Sequence, residues 1–360
     1  MHDSKAGIIT FHFAQNYGAV LQCYALQEFL SNRQCNAFVI NHKDYAQERD
    51  LKLIQFRSPK RFVKSILLFV RNVAKRLRFN RFRSKHLNLI SAEFADTLDL
   101  IVLGSDQVWN FDFANTKAYF AEFPKKQNAK VVSYAASIGK DSVSSAELDK
   151  YKEKLKGVDM ISVRESVAKD ALQPLTEKHI DVMIDPTLLL SREQWQTAIG
   201  KSLSGRIKKY VLIYSLNQYP ETFKIAQKVA KELGLKTIEV RSHGIKVRHS
   251  VNKTVTFAGP AEFLRLFQDA EFVVTDSFHG TVFSMIFNKP FYTIPHKKMN
   301  SRMSGLLRLV GLGSRLISSE NSVALGEEID YEAVEDILVA ERLRATAFID
   351  KALADANGQD

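Results

Sequence analysis

Short runs rich in β-branched and aromatic residues alternate with stretches of helical period along almost all of this 360-residue chain. That alternation leaves few folds open. A strand, a helix and a second strand running the same way form the repeating unit of a doubly wound parallel sheet. In the first half, strands are predicted at Gly7–Phe13, Ala37–Asn41, Leu100–Gly104, Lys130–Ala135, Met160–Val163 and Asp181–Ile184. Helices are predicted at Gly18–Ser31, Ala146–Lys156, Glu165–Leu172 and Arg192–Ile199. The second half restarts with strands at Tyr210–Ser215, Thr237–Arg241, Thr254–Phe257, Glu271–Thr275 and Phe291–Ile294. Its helices fall near Glu221–Leu233, Pro260–Gln268, Gly280–Phe287 and Ser301–Val310. The polar, glycine-containing stretch Gly200–Lys209 reads as a linker. The expected organisation is a domain over 1–200, a second over 205–330, and a helix over 331–354 packing back on the first. A chain of this length can bury two cores of ordinary size.

The charge is unevenly spread. Between Leu51 and Ala92 lie 12 of the 51 lysines and arginines, while all 40 acidic residues fall outside that stretch. The net charge of +11 therefore comes from one segment, and the rest is close to neutral. A general nucleic-acid binder spreads its cations over a face with stacking aromatics among them, so no nucleic-acid partner is expected. Within the segment a basic amphipathic helix is predicted over about 59–79. Phe62, Ile66, Phe69, Val70, Val73 and Leu77 form an apolar stripe, with Lys60, Lys64, Arg71, Lys75 and Arg78 on the opposite face. Such a helix can lie peripherally on an anionic membrane, or pack on the first domain with a solvated basic face. The sequence leaves both readings open. No apolar run reaches the length of a spanning helix. The start, Met1-His2-Asp3-Ser4-Lys5, leads straight into a strand-like run without a basic leader. Two cysteines, Cys23 and Cys35, fit a reducing compartment and no metal-ligand spacing. The expected address is the cytoplasm, peripheral to the inner face of the plasma membrane if the basic helix binds lipid. No metal and no cofactor are expected.

Polar residues gather where predicted strands end. Glu271–Thr275 empties into Asp276, Ser277, Phe278, His279 and Gly280, which open the next helix. Open α/β sheets bind ligands at such carboxyl ends. The first-turn N–H groups of a helix attract a phosphate or carboxylate, which Gly280 would let approach closely. His279 there can donate a proton or pair with the anion. The plainer reading is a capping turn made by Ser277 or Asp276. Asn16, Tyr17 and Gly18 follow the first strand and suit sugar hydroxyls, or simply cap a helix. Leu100-Ile-Val-Leu runs into Gly104, Ser105, Asp106, Gln107 and Trp109. A carboxylate that can accept a hydroxyl proton beside an aromatic platform is a carbohydrate-site pattern, although Asp106 could cap a turn and Trp109 could be core. Arg164 at a strand end offers a planar fork to an anion, or a surface ion pair with Glu165. Arg302 has the same two readings. There is no P-loop, Gly-x-Gly-x-x-Gly fingerprint, zinc spacing, Gly-x-Ser-x-Gly elbow or Asp-x-Asp pair in these settings, which argues against an NTPase, a dehydrogenase, a zinc enzyme and a serine hydrolase.

Taken in order, these segments resemble the polysaccharide pyruvyl transferase family. The resemblance is carried by Gly7–Thr10 with Asn16-Tyr17-Gly18-Ala19 and Leu21-Gln22, then Gly104-Ser105-Asp106-Gln107-Val108-Trp109-Asn110. It continues through Ser133-Tyr134-Ala135-Ala136-Ser137, Ser162-Val163-Arg164-Glu165, Asp185-Pro186-Thr187 and Thr275-Asp276-Ser277-Phe278-His279-Gly280. It spans about Gly7 to Leu316 and omits the basic and C-terminal helices. It implies a GT-B-like α/β architecture, two Rossmann-type doubly wound parallel-sheet domains facing across a cleft. It also implies phosphoenolpyruvate as donor and a sugar of a surface polysaccharide precursor, lipid-linked or not, as acceptor. Relatives often carry Arg-x-His in the last motif, and here Ser277 takes the arginine position. Arg302 or Arg164 is the expected replacement cation. On this reading His279 and Asp106 are catalytic. Arg164, Ser277, Gly280, Thr281 and Arg302 bind donor, while Asn16, Tyr17, Gln107 and Trp109 bind acceptor. The rival is a GT-B glycosyltransferase using a nucleotide sugar.

Overall fold

The structure, a computed structural model, describes residues 4–42, 59–112, 117–200, 209–242, 250–296 and 300–358, with the side chains of 59–72 outside that description. Of the predicted linker Gly200–Lys209, residues 201–208 lie outside the described residues, and so do the side chains of most of the apolar stripe and of Lys60, Lys64 and Arg71. The chain divides into two compact units. The first contains Met1–Leu51, Arg83–Leu190 and Leu338–Asp360, and the second Lys52–Phe82 and Ser191–Ile337.

The first unit is a seven-stranded sheet of β1 (Ser4–Ile9), β2 (Cys35–Ile40), β3 (Leu89–Ile90), β4 (Leu100–Leu103), β5 (Lys130–Ala136), β6 (Met160–Val163) and β7 (Ile180–Val182). The spatial order is β3-β2-β1-β4-β5-β6-β7, and every pairing is parallel. The central strands are apolar on both faces, as a sheet covered on both sides requires: Leu100, Ile101, Val102 and Leu103 are all fully buried. Order reverses between β1 and β4, so the crevice of this sheet opens beyond Ile9 and Leu103. β5 carries a bulge between Ser133 and Ala136, with Ala135 at φ +47°. A bulge re-aims the strand end, and here Ala136 pairs with Val163 on one side and Asp106 on the other.

The second unit is a five-stranded parallel sheet of β8 (Tyr210–Tyr214), β9 (Lys236–Val240), β10 (Lys253–Val255), β11 (Phe272–Thr275) and β12 (Phe291–Thr293). Its order, β10-β9-β8-β11-β12, reverses between β8 and β11. Helix Arg192–Ile199, expected in the first domain, groups with this unit. Trp195 is fully buried edge-on to Phe283 at 5.2 Å, and Arg192 Nε donates to the Ile286 carbonyl (3.2 Å). The division therefore falls at Leu190/Ser191 instead of in the polar stretch that follows.

Of the two long helices, the first departs from expectation. The basic helix runs Pro59–His86, and its residues through Phe82 group with the second unit. At the described end two positions exchange faces, while Arg78 stays exposed as expected. Lys75, assigned to the solvated face, is buried and donates from Nζ to the Ser242 carbonyl (2.9 Å), whereas Leu77 of the apolar stripe is 62% exposed. Phe79 and Phe82 supply the packing instead, with Lys75 Nζ over the Phe79 ring, 5.3 Å from its centroid. The last helix spans Tyr331–Ala356. From Leu338 onward it belongs to the first unit, where Phe348 meets Tyr134 edge-on and Arg33 donates to Thr346 Oγ1.

Candidate functional site

At the crevice of the first sheet a buried polar network joins five strand ends. Beyond β1, Gln22 Nε2 donates to Thr10 Oγ1 (2.8 Å), which donates to the Ser105 carbonyl (2.9 Å) beyond β4. Ser105 Oγ donates to Asp185 Oδ2 (3.2 Å), and Arg164 Nη1 donates to the same oxygen (2.7 Å). Asp185 Oδ1 accepts the N–H and hydroxyl of Thr187 (3.0 and 2.6 Å). Glu165 Oε1 accepts from Ser137 Oγ, Ile138 N and Gly139 N (2.8, 3.0 and 3.3 Å). Asp106 stands at the edge of this network in a left-handed conformation, φ +73°, the strain that clusters at sites. Its carbonyl accepts from Ser137 N (3.0 Å) and its Oδ1 from Gln107 N (2.9 Å), while Arg164 Nη2 lies 3.8 Å from Oδ1. Burial pushes the Arg164 pKa down, but Asp185, Asp106 and Glu165 together push it further up, and the net direction is up.

The other residues of this crevice take plainer places. Asn16 Oδ1 caps helix Tyr17–Ser31 by accepting from Ala19 N (3.3 Å). Tyr17 is fully buried and Gln107 half-buried. Trp109 is fully enclosed, stacked on Phe120 at 5.0 Å and donating from Nε1 to the Tyr119 carbonyl (3.0 Å). A sugar platform needs an open ring face, and Trp109 has none in this arrangement. Arg83 Nη1 donates to the carbonyls of His12, Phe13 and Ala14 (3.3, 3.1 and 3.3 Å), fixing the loop that leads to Asn16.

In the second unit the switch point is closed by one pair. Ser215, after β8, donates from Oγ to Asp276 Oδ2 (2.6 Å), after β11. Asp276 also accepts from Leu216 N and Asn217 N (2.7 and 3.2 Å). Burial raises the Asp276 pKa; the three hydrogen bonds and the charge of His296 oppose that rise without cancelling it. Helix Phe278–Ile286 then begins with Ser277 as its cap. The N–H of Gly280 reaches Ser277 Oγ (3.4 Å) and the N–H of Thr281 the Ser277 carbonyl (2.9 Å). Both expected anion donors are thus engaged inside the helix. A Cβ at Gly280 would lie 2.1 Å from Thr275 Oγ1, so this glycine admits a neighbouring side chain, where close approach of an anion was expected. His279 is half-buried at the first turn. Thr281 Oγ1 touches Met303 Sδ at 3.7 Å, which brings the first turn of helix Ser301–Leu309 against it. Arg302, half-buried, sits on that turn. Among the described residues no group of three or more His, Cys, Asp or Glu side chains could hold a metal ion.

The sequence pattern of the family described as polysaccharide pyruvyl transferase matches residues 16–298. The chain belongs to the polysaccharide pyruvyl transferase family. Each motif that carries the resemblance ends at one of the two switch points or supports it. No curated protein matches the chain. Among solved structures, a Listeria monocytogenes protein assigned as a UDP-N-acetylglucosamine 2-epimerase is 11% identical, with a TM-score of 0.52 over 99% of this chain and 94% of that one. UDP-GlcNAc 2-epimerase from Neisseria meningitidis, bound to UDP-GlcNAc, is 9% identical with a TM-score of 0.50 over 98% and 94%. At such identity the likeness is one of fold, and this pyruvyl transferase family member has the two parallel-sheet α/β units of a GT-B-like protein. Sequence reasoning did not single out Ser215, Asp185 or His296 as site residues. Ser215 and Asp185 were detectable as polar residues one and three positions past an apolar strand.

Proposed function

We propose that this chain moves a pyruvyl group from phosphoenolpyruvate to a sugar of a surface polysaccharide precursor and closes a cyclic ketal with release of phosphate. Family membership supports the transferase class. The observation that carries the donor assignment is the meeting of two first turns at Thr281 and Met303, one bearing His279 and the other Arg302, on the second unit. A guanidinium and an imidazole carried on adjoining turns suit a donor with both carboxylate and phosphate. Arg302 then supplies the cation that Ser277 lacks. His279 protonates C3 of the enol phosphate, making C2 electrophilic. A sugar hydroxyl, deprotonated by Asp106, attacks C2. Phosphate leaves C2, and a second hydroxyl of the same sugar adds there to close the ketal, its proton passing to the His279 imidazole that gave one up to C3. No cofactor takes part.

Phosphate release from phosphoenolpyruvate against a panel of lipid-linked sugars tests the reaction. His279→Ala is expected to lower kcat/KM by about 10²–10⁴-fold, the range of general acid catalysis. Phosphoenolpyruvate should raise the Tm, by mass action on the folded state. Stabilisation by UDP or GDP, with none by phosphoenolpyruvate, would favour a nucleotide-sugar glycosyltransferase. A lipid-linked acceptor fits the exposed Arg76, Arg81 and Lys85 with Leu77 beside them on the basic helix, as a peripheral contact with anionic lipid. No helix among the described residues is long and apolar enough to cross a membrane.

A further inference from the structure

The last helix, Tyr331–Ala356, turns one face inward through Phe348 and Ile349 and another to solvent. On the outer face every fourth position is exposed: Glu335, Val339, Leu343, Ala347 and Lys351. Residues four apart on a helix form a ridge, the surface by which helices most often interlock. Val339 is 45% exposed and Leu343 65%, more than any other large apolar side chain among the described residues. Scattered apolar residues on a surface are ordinary, whereas a continuous row asks for a partner. The ridge spans about 24 Å at the usual helical rise.

Its order says what that partner is. The row reads acid, three apolar residues, base, with the largest apolar side chain at the centre. A copy of the same helix laid antiparallel across Leu343 sets each Glu335 against the other's Lys351 and each Val339 against the other's Ala347. Leu343 then meets its own counterpart on the twofold axis. A parallel copy would set like charges together. The small Ala347 leaves room for the valine. Beside it a groove of about 510 Å³ runs between this helix and strands β6 and β7, with Met160, Met183 and Phe348 in its lining, so apolar surface continues from the ridge into the first unit. Asp336 and Asp350 flank the ridge and approach each other across the same axis. Arg33 Nε, 3.3 Å from Asp350 Oδ1, supplies the counter-charge there.

We propose that this ridge is the seat of a twofold homodimer in which the last helix of each copy packs antiparallel on the other's about Leu343. The contact is isologous, each copy giving the same patch. One ridge and a groove wall make a small interface, so the Kd is expected on the order of 10 µM.

Sedimentation velocity on the full chain from about 1 to 200 µM, spanning that Kd, should show monomer passing to dimer. Leu343→Arg, at an exposed position that the fold tolerates, should raise the Kd at least about tenfold, as loss of a central anchor does. Lys351→Glu should weaken the dimer, and adding Glu335→Lys should restore it, which only the antiparallel register allows. Leu343→Cys should form a disulfide-linked dimer under mild oxidation, because the axis brings the two positions together. Glu153→Cys, exposed on helix Ser145–Leu155, should not. Cys23 and Cys35 are buried and add no background. Wild type that stays monomeric throughout, or a dimer that survives Leu343→Arg, would overturn the proposal. Monomeric wild type whose binding to phosphatidylserine vesicles is lost on Leu343→Arg would overturn it too, by giving the ridge to lipid.

Discussion

A methyl group at Gly280 would press on Thr275 Oγ1, which donates to the Tyr214 carbonyl and accepts from Ser277 N. Gly280→Ala should therefore cost about 1–3 kcal/mol, the usual penalty of overpacking, read from denaturant unfolding. Asp276 gives a pH signature. Its folded pKa stands above the ordinary 3.8, so the folded chain holds this proton more tightly than the unfolded chain does. Stability from this group is present at low pH and declines as pH rises through the raised value. The stability of wild type minus that of Asp276→Asn should accordingly fall as pH rises above the ordinary 3.8; a gap that widens would refute the assignment. Much at this scale was legible beforehand. Asp106, Arg164 and His279 could be picked out because each ends or follows an apolar strand. Their burial could not be read, since it depends on partners far along the chain. Arg164 looks like a surface cation until Asp185, brought alongside by the pairing of β6 with β7, encloses it.

Elements were easier than residues. Most strands and helices fall within three residues of their predicted ends, because a buried parallel strand and an amphipathic helix have different periods. The two-residue β3 escaped notice, being too short to show any period. The basic helix misled for a different reason: a helical wheel shows which residues share a face but not what the face meets, and Lys75 can extend its stem inward to reach a carbonyl. Helix Ser145–Leu155 carries a capping box in which Glu147 accepts from Lys140 Nζ and from Ser144. The hydrogen bonds from Lys140 and Ser144 hold the Glu147 pKa down at about 2. Its contribution is in place above about pH 4.5 and lost as pH falls toward 2. In acid unfolding series the stability gap between wild type and Glu147→Gln should close over that interval. On the basic helix, exchanging Arg76, Arg81 and Lys85 for glutamate should abolish sedimentation with phosphatidylserine vesicles at low salt, where each cation is worth about 1 kcal/mol. Wild-type protein that stays in the supernatant under those conditions would remove the membrane reading.

At the scale of the whole molecule the alternation announced two sheets and a last helix returning to the first, while the grouping of the basic helix with the second unit was hidden. The last helix returns Leu338, Ala345, Phe348, Ile349, Ala352 and Leu353 to the interior of the first unit. Each large side chain of that set is worth about 2–5 kcal/mol when removed from a core. A chain ending at Ile337 should therefore expose its first unit to trypsin while residues 210–337 resist, as limited proteolysis would show. The same threading sets an order of events on the ribosome. The N-terminal strands emerge first, yet the unit they build stays incomplete until the final helix leaves the exit tunnel. By then the segments of the other unit are already out and free to close. The half of the molecule translated first is in this way the half that finishes last, and its apolar strands stand open to chaperones throughout synthesis.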